Sequence, residues 1–309
     1  MREMVAETRL HPSRLVQPHF VHAADDEQAI ESMPGIARQS IARLVDAVGD
    51  DLALGLRNVL LFGVTDEKSA DARAATDPDG LVPRAVRALR AAHGDDLLII
   101  TDVCLCGATE SGHCGVLHEG KVLNDESLPL LAAMAVSHAE AGADIVAPSD
   151  MLDGRVEAIR EGLDDAGLPD TAILSYSTKF ASAFYGPFRD AADSSPQSGD
   201  RKSYQMDPRN GREALHESLI DEAEGADMLM VKPALAYLDV IADIAQEAMI
   251  PVAAYNVSGE FSMVKAAAQK GWVNEALMVS EILHSMARAG ADQIITYHAR
   301  EALAGGWLE

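Results

Sequence analysis

The sequence predicts an α/β protein, a (β/α)8 TIM barrel with a short N-terminal extension, on three observations. Eight short apolar runs rich in Val, Ile and Leu punctuate the chain, as expected of parallel strands covered on both faces. Stretches with helical spacing separate most of them. No Gly-x-Gly-x-x-Gly follows any run, which leaves an open dinucleotide-binding sheet with nothing to rest on.

In chain order the runs are Leu15–His22, Asn58–Val64, Asp96–Val103, Ala143–Ala147, Thr171–Tyr176, Ala226–Lys232, Ile250–Tyr255 and Asp292–Tyr297. Between the second and third, Thr65–Gly80 is rich in Asp and Ala and reads as a surface loop with a short helix. Between the third and fourth, Leu128, Leu131, Met134 and His138 share one face of a helix. Gly142-Ala143-Asp144, Gly225-Ala226-Asp227 and Gly290-Ala291-Asp292 each put a helix-ending glycine before the next strand, at the fourth, sixth and eighth runs. After the fifth run comes the long polar segment Arg189–Asp207, with Ser194, Ser195, Pro196, Ser198 and Gly199 and the cations Arg189, Arg201 and Lys202. Over a barrel mouth such a segment reads as an active-site lid or as an ordinary surface excursion.

At 309 residues the chain is long for one core, but barrels of this kind reach that length as a single domain, and one domain over 1–309 is expected. The hydrophobic fraction of 48% supports a large core, and the longest apolar runs are strand-sized, so no membrane span is expected. Met1-Arg2-Glu3-Met4 leads into no apolar h-region, and the expected location is the cytoplasm. With 25 basic against 49 acidic residues the net charge is −24, which repels phosphate backbones and anionic lipid, so neither nucleic acid nor membrane is an expected partner. Only seven residues are lysine. An acidic, Lys-poor surface reads as adapted to high salt, where counterions screen self-repulsion.

Every cysteine of the chain falls within Cys104–Cys114. Three thiols on one Gly-containing loop, with no other cysteine to pair with, fit Zn²⁺ better than a disulfide framework. Three ligands leave a tetrahedral ion one open position, the mark of a catalytic site. A reduced, partly buried loop without metal is the plainer alternative. His113 is an alternative fourth ligand, but its place beside Cys114 makes joint coordination awkward, and it reads as a polar or substrate-facing histidine.

Chemistry in a barrel sits where strands end and loops begin. Cys104 and Cys106 follow the third run, Lys179 the fifth and Ser258 the seventh, while Lys232 and Tyr297 end the sixth and eighth. Lys232 closes the apolar string Met228-Leu229-Met230-Val231 before Pro233. Such dryness lowers an amine's pKa, and the neutral amine attacks carbonyls. Lys179 shares that character, and two lysines one strand apart lower each other further. Either alone reads equally well as a strand-end lysine reaching for solvent.

The chain resembles the porphobilinogen synthase (5-aminolevulinate dehydratase) family, of the zinc-dependent type, from about His11 to Tyr297. The resemblance rests on Asp102-Val-Cys-Leu-Cys with Gly112-His-Cys-Gly, Tyr176–Asp190, Arg201–Pro208, Met230–Asp239 and Tyr255–Glu260. It implies condensation of two 5-aminolevulinate molecules to porphobilinogen with loss of two waters, in tetrapyrrole biosynthesis. By the same resemblance Lys232 forms a Schiff base with the propionate-side substrate and Lys179 engages the acetate-side one. Cys104, Cys106 and Cys114 match the zinc ligands, Arg189 and Arg201 the lid arginines that grip one carboxylate, and Ser258 and Tyr297 the hydroxyl donors to the other. Glu217 matches a glutamate associated with allosteric Mg²⁺, away from the active site. A homo-octamer is the family's assembly, built with an N-terminal arm that residues 1–12 would supply in shortened form.

The loop Ala108-Thr109-Glu110-Ser111-Gly112-His113 departs from the family's usual Tyr-Thr-Ser-His-Gly-His, losing an aromatic and a histidine and gaining a carboxylate. Two other readings share parts of the pattern. A class I aldolase needs one imine lysine and no metal, and a zinc-binding protein needs neither lysine. The acidic surface carries its own expectation: thermal stability rises between dilute buffer and molar KCl, and a melting temperature indifferent to salt would remove the high-salt reading.

Overall fold

The computed structural model describes Met1 and residues 3–308. Eight parallel strands close into a barrel: β1 (Leu15–His22), β2 (Asn58–Val64), β3 (Leu98–Val103), β4 (Ile145–Pro148), β5 (Ala172–Lys179), β6 (Met228–Lys232), β7 (Val252–Asn256) and β8 (Gln293–Thr296). Each pairs with the next, and β8 returns to β1 with Ile294 opposite Leu15. The helices are α1 (Ile41–Ala53), α2 (Leu81–His93), α3 (Asn124–Glu140), α4 (Arg155–Asp165), α5 (Gly186–Ala191), α6 (Gly211–Ala223), α7 (Leu238–Glu247), α8 (Ser258–Gln269), α9 (Glu275–Ala289) and α10 (Ala299–Ala304).

Strand alternation divides the apolar residues between two layers. In β2, Leu60 and Phe62 face the barrel interior with Phe20, Tyr176 and Met230, whereas Val59 and Leu61 pack outward against Leu44, Val86 and Leu89 of α1 and α2. Burial on both faces is why these strands read as continuous apolar runs.

The Gly-Ala-Asp triplets explain why several strands begin later than the sequence predicts. Gly142, Gly225 and Gly290 all take left-handed φ, between 102° and 117°, and the alanine after each donates back to a helix carbonyl: Ala143 to His138, Ala226 to Asp221, Ala291 to Met286. This is a Schellman ending, so the alanine belongs to the helix. The aspartate then crosses to the strand before it in the barrel. Asp144, Asp227 and Asp292 accept from the backbone N–H of Ile99, Ile173 and Val252 at 2.7, 2.8 and 3.0 Å. Each triplet therefore ends a helix and satisfies an amide within the first two residues of a neighbouring strand. The third strand starts at Leu98 rather than Asp96 for another reason: Gly94–Asp96 form a 3₁₀ turn.

The fifth strand extends beyond the predicted Tyr176 to Lys179 and carries an irregularity. Leu229 of β6 lies opposite Ser175 and Val231 opposite Thr178, so Tyr176 and Ser177 together face Met230. This is a β-bulge, and it resets the alternation of β5. Tyr176 points inward, and Lys179, three residues later, does too. Ser218 of α6 holds the bulge from behind, bonding Ser177 Oγ at 3.0 Å and Thr178 Oγ1 at 2.9 Å.

Two hairpins escape the sequence reading, Glu27–Ala29 with Ala37–Gln39 and Val116–His118 with Lys121–Leu123. Their strands are too short to give a periodic signal. Thr65–Gly80 is a loop with a 3₁₀ helix at Arg73–Thr76, as expected. Among the described residues no helix is long and apolar enough to cross a membrane.

Replacing Asp227 by Ala strands the amide of Ile173 and is expected to lower unfolding free energy by about 1 kcal/mol, the worth of one such bond. Urea denaturation measures it, and an unchanged midpoint would show that water caps the strand equally well.

Candidate active site

The inward residues at the carboxyl ends of the strands converge on a cavity lined by Asp102, Cys104, Cys106, Lys179, Arg201 and Lys232, with Phe62, Phe188 and Ser149. Lys232 is 4% exposed and stands opposite Lys179 across the β5–β6 pairing. Its Nζ is 4.3 Å from the ring centre of Tyr255 and 4.9 Å from those of Tyr176 and Phe188. Burial first, and the neighbouring Lys179 charge second, hold the Lys232 amine down to about 7. The ring faces soften the cost of that buried charge without replacing water. The Lys179 ammonium, equally buried, donates to the carbonyl of Ser149 beyond the end of β4.

Asp102, the penultimate residue of β3, is the anion of this cluster. Burial raises its carboxyl, while the charges of Lys179 and Lys232 pull it down. One of its oxygens is fully buried without a hydrogen-bond partner among the described residues. Sequence reasoning quoted Asp102 only as part of a motif and missed Ser149, whose carbonyl accepts from Lys179 and whose hydroxyl helps to lower Asp102. It also missed the aromatic floor, although the inward position of Tyr176 and Tyr255 was readable from strand period.

The cysteine loop follows directly. Cys104 leaves the end of β3, Leu105–Gly107 make a 3₁₀ turn carrying Cys106, and the chain returns through Gly112 to Cys114. The sulfurs lie within 4.8 Å of one another, and all are free thiols. Cys104 and Cys106 donate to Cys114, whose thiol is held well below its ordinary range by those bonds and by the charge of Arg201. Cys106 accepts from Cys104, but its donation to Cys114 and its burial push it up to about 11. A thiolate already favoured among three converging sulfurs suits a thiophilic divalent ion, and zinc fits this donor set.

The other sequence-predicted residues fall at different distances from the amines. Arg201, 7% exposed, donates to the carbonyls of Gly112 (2.8 Å) and Ser194. Arg189 is half-buried on α5, one residue beyond Phe188. Ser258 opens α8, and its hydroxyl accepts from the Phe188 N–H at 2.9 Å. Tyr297 follows β8 with its hydroxyl 3.1 Å from that of Tyr255, below Lys232. Glu217 lies on α6 in the outer layer, outside the cavity lining, with its carboxyl raised by burial and by Asp221. His113 faces the segment 198–204, 3.0 Å from both the Tyr204 hydroxyl and the Ser198 carbonyl.

Fold and site define a class: a parallel (β/α)8-barrel enzyme with paired inward lysines beside a three-cysteine loop able to hold a metal. The family model for delta-aminolevulinic acid dehydratase matches residues 1–305, and the chain belongs to that family. A delta-aminolevulinic acid dehydratase of Bacillus subtilis is 52% identical over 309 residues, covering 100% of this chain and 94% of the relative. One from Methanothermobacter thermautotrophicus is 53% identical, covering 98% and 93%. The crystal structure of the Toxoplasma gondii ME49 enzyme (porphobilinogen synthase) with its reaction product porphobilinogen superposes with a TM-score of 0.97 at 50% identity, covering 98% of this chain and 88% of that one.

Isotope-labelled reductive methylation followed by NMR is expected to find the Lys232 amine titrating near pH 7. Asp102→Asn, which removes a charge that raises it, moves it lower. An amine titrating near 10, as free lysine does, would mean that water reaches it.

Proposed function

We propose that this chain condenses two 5-aminolevulinate molecules to porphobilinogen, releasing two waters, in tetrapyrrole biosynthesis. The observation that carries the reading is the pairing of Lys232 and Lys179 across β5 and β6, both facing inward beside the cysteine loop. Each substrate brings a ketone, and each lysine offers an amine that can condense with it to an imine, expelling the keto oxygen as water. With its pKa near 7, Lys232 is about half neutral at neutral pH, and its nucleophilic fraction falls about tenfold per unit of acid below that. Once protonated, the imine draws electrons from the adjacent C–H, so the carbon can lose a proton and attack the second substrate. Asp102, pressed upward by burial and downward by both amines, is suited to take and return such protons. Closing the five-membered ring restores both lysines.

Zinc at Cys104, Cys106 and Cys114 would supply Lewis acidity towards the acetate-side substrate. Arg189 and Arg201 are assigned to one substrate carboxylate, where a planar guanidinium can bind both oxygens. Ser258 and Tyr297 are assigned to the other. The reading takes 1–309 as one barrel domain and 189–207 as its lid. A homo-octamer and Mg²⁺ at Glu217 belong to the same reading.

Porphobilinogen formation from 5-aminolevulinate is expected in high-salt buffer, lost on zinc chelation and restored by added zinc. Lys232→Ala is expected to abolish it together with the borohydride-trapped substrate adduct. Near-normal product from that variant would remove the imine, and product indifferent to thorough metal removal would reduce the cysteines to a structural role. Failure of folded, zinc-loaded protein to form product would overturn the reaction.

A further inference from the structure

We propose that His113 is a positioning residue that pins the segment 194–204 to the cysteine loop, so that metal loading and lid closure are linked. The inference rests on reading that segment as a lid and those cysteines as metal ligands.

His113 is 6% exposed, and its bonds fix its tautomer. Nε2 lies 3.0 Å from the carbonyl oxygen of Ser198, which can only accept, so Nε2 carries the hydrogen. Nδ1, 3.0 Å from the Tyr204 hydroxyl, therefore accepts. The N–H of Cys114 donates to the same Tyr204 oxygen at 3.4 Å. A chain of hydrogen bonds thus runs from the backbone of Cys114 through Tyr204 and His113 to Ser198.

Neighbouring contacts run parallel to it. Gln197 N–H donates to the Ser111 carbonyl at 3.0 Å, and Arg201 bridges the carbonyls of Gly112 and Ser194. Gly112 lies so close to the segment that a Cβ there would meet the Ser195 oxygen at 2.5 Å. Ser111, Gly112, His113 and Cys114 each touch 194–204.

The cysteines are not equally anchored. Cys104 and Cys106 sit at a strand end and in the turn after it. Cys114 reaches them only after the loop has doubled back, and the lid segment fixes that return. If the segment lifts, Cys114 keeps the flanking bonds from Thr109 to the His113 carbonyl and from Val116 N–H to Ser127 but loses those through Tyr204 and His113, while the other two cysteines keep theirs. A metal needing all three thiolates then favours the closed lid, and closure tightens the metal by the same factor, because linkage is reciprocal.

The test uses full-length protein and no turnover. Zn²⁺ affinity is measured by competition with a chromophoric chelator, and Co²⁺ loading by its thiolate absorption. Amide exchange is followed over 194–204, with the barrel strands as the control for folding. Chelation of the unaltered protein is expected to speed exchange in 194–204. His113→Ala should weaken metal about ten- to a hundredfold, the range for residues that orient ligands, and speed exchange there even in excess metal. His113→Gln, whose amide can donate to Ser198 and accept from Tyr204, should recover most of both. Tyr204→Phe, keeping the ring, should fall between. Metal affinity and exchange unchanged in His113→Ala would overturn the proposal, as would lid exchange in unaltered protein that ignores metal. Because no arm measures porphobilinogen, an inactive protein would sink the proposed reaction and leave this result readable.

Discussion

The constraint on which the site depends is the cost of keeping two amines close together where water is scarce. Two ammonium groups in a medium of low dielectric repel strongly, and each loses hydration as well. The surroundings of Lys179 and Lys232 answer that cost in different ways: a backbone carbonyl for one, ring faces for the other, and a single carboxylate between them. Asp102 is one charge against two. Burial first, and the uncompensated Lys179 charge second, hold the Lys232 amine down to about 7; a second carboxylate would stabilise the ammonium.

Around this pair the barrel separates tasks by layer. Alternation along each strand sends one set of side chains to the interior and the other to the helices, so the outer layer can be stiff without touching the chemistry. Arg155 of α4 binds both oxygens of Asp221 of α6, and Ser175, facing outward from β5, joins them at 2.5 Å. This buried ion pair locks two helices to the strand that carries Lys179, and the bidentate bond to Asp221 offsets part of its desolvation cost. Arg155 Nε makes no hydrogen bond among the described residues and lies 3.8 Å from Asp150.

Much of this was legible in the sequence, for definable reasons. Strands buried on both faces leave long apolar runs, so all eight were found; the starts of the fourth, sixth and eighth were misplaced by up to two residues because Gly-Ala-Asp serves helix and strand together. The cysteine cluster and the lysine at the end of an apolar string stood out by rarity and context. What stayed hidden depends on pairing between distant segments. The Ser149 carbonyl is met by a lysine 30 positions on, Asp102 means little until β3 is seen to share the barrel interior with Lys179 and Lys232, and the partners of His113 lie 85 and 91 positions away. Loop residues show their character in a sequence but not their company.

The bulge in β5 makes the number of amines in the barrel a matter of parity. With strict alternation, a residue three places beyond an inward Tyr176 would face the helices, and Lys179 would sit among α6 side chains. One extra residue, spread over Tyr176 and Ser177 and clamped by Ser218, turns it round. The same residues laid in strict alternation could still close the barrel, but around a single inward lysine. In this architecture the difference between an interior with one lysine and an interior with two is not a new residue but an added step in the count along one strand, which is why substitution tables alone would never reveal it.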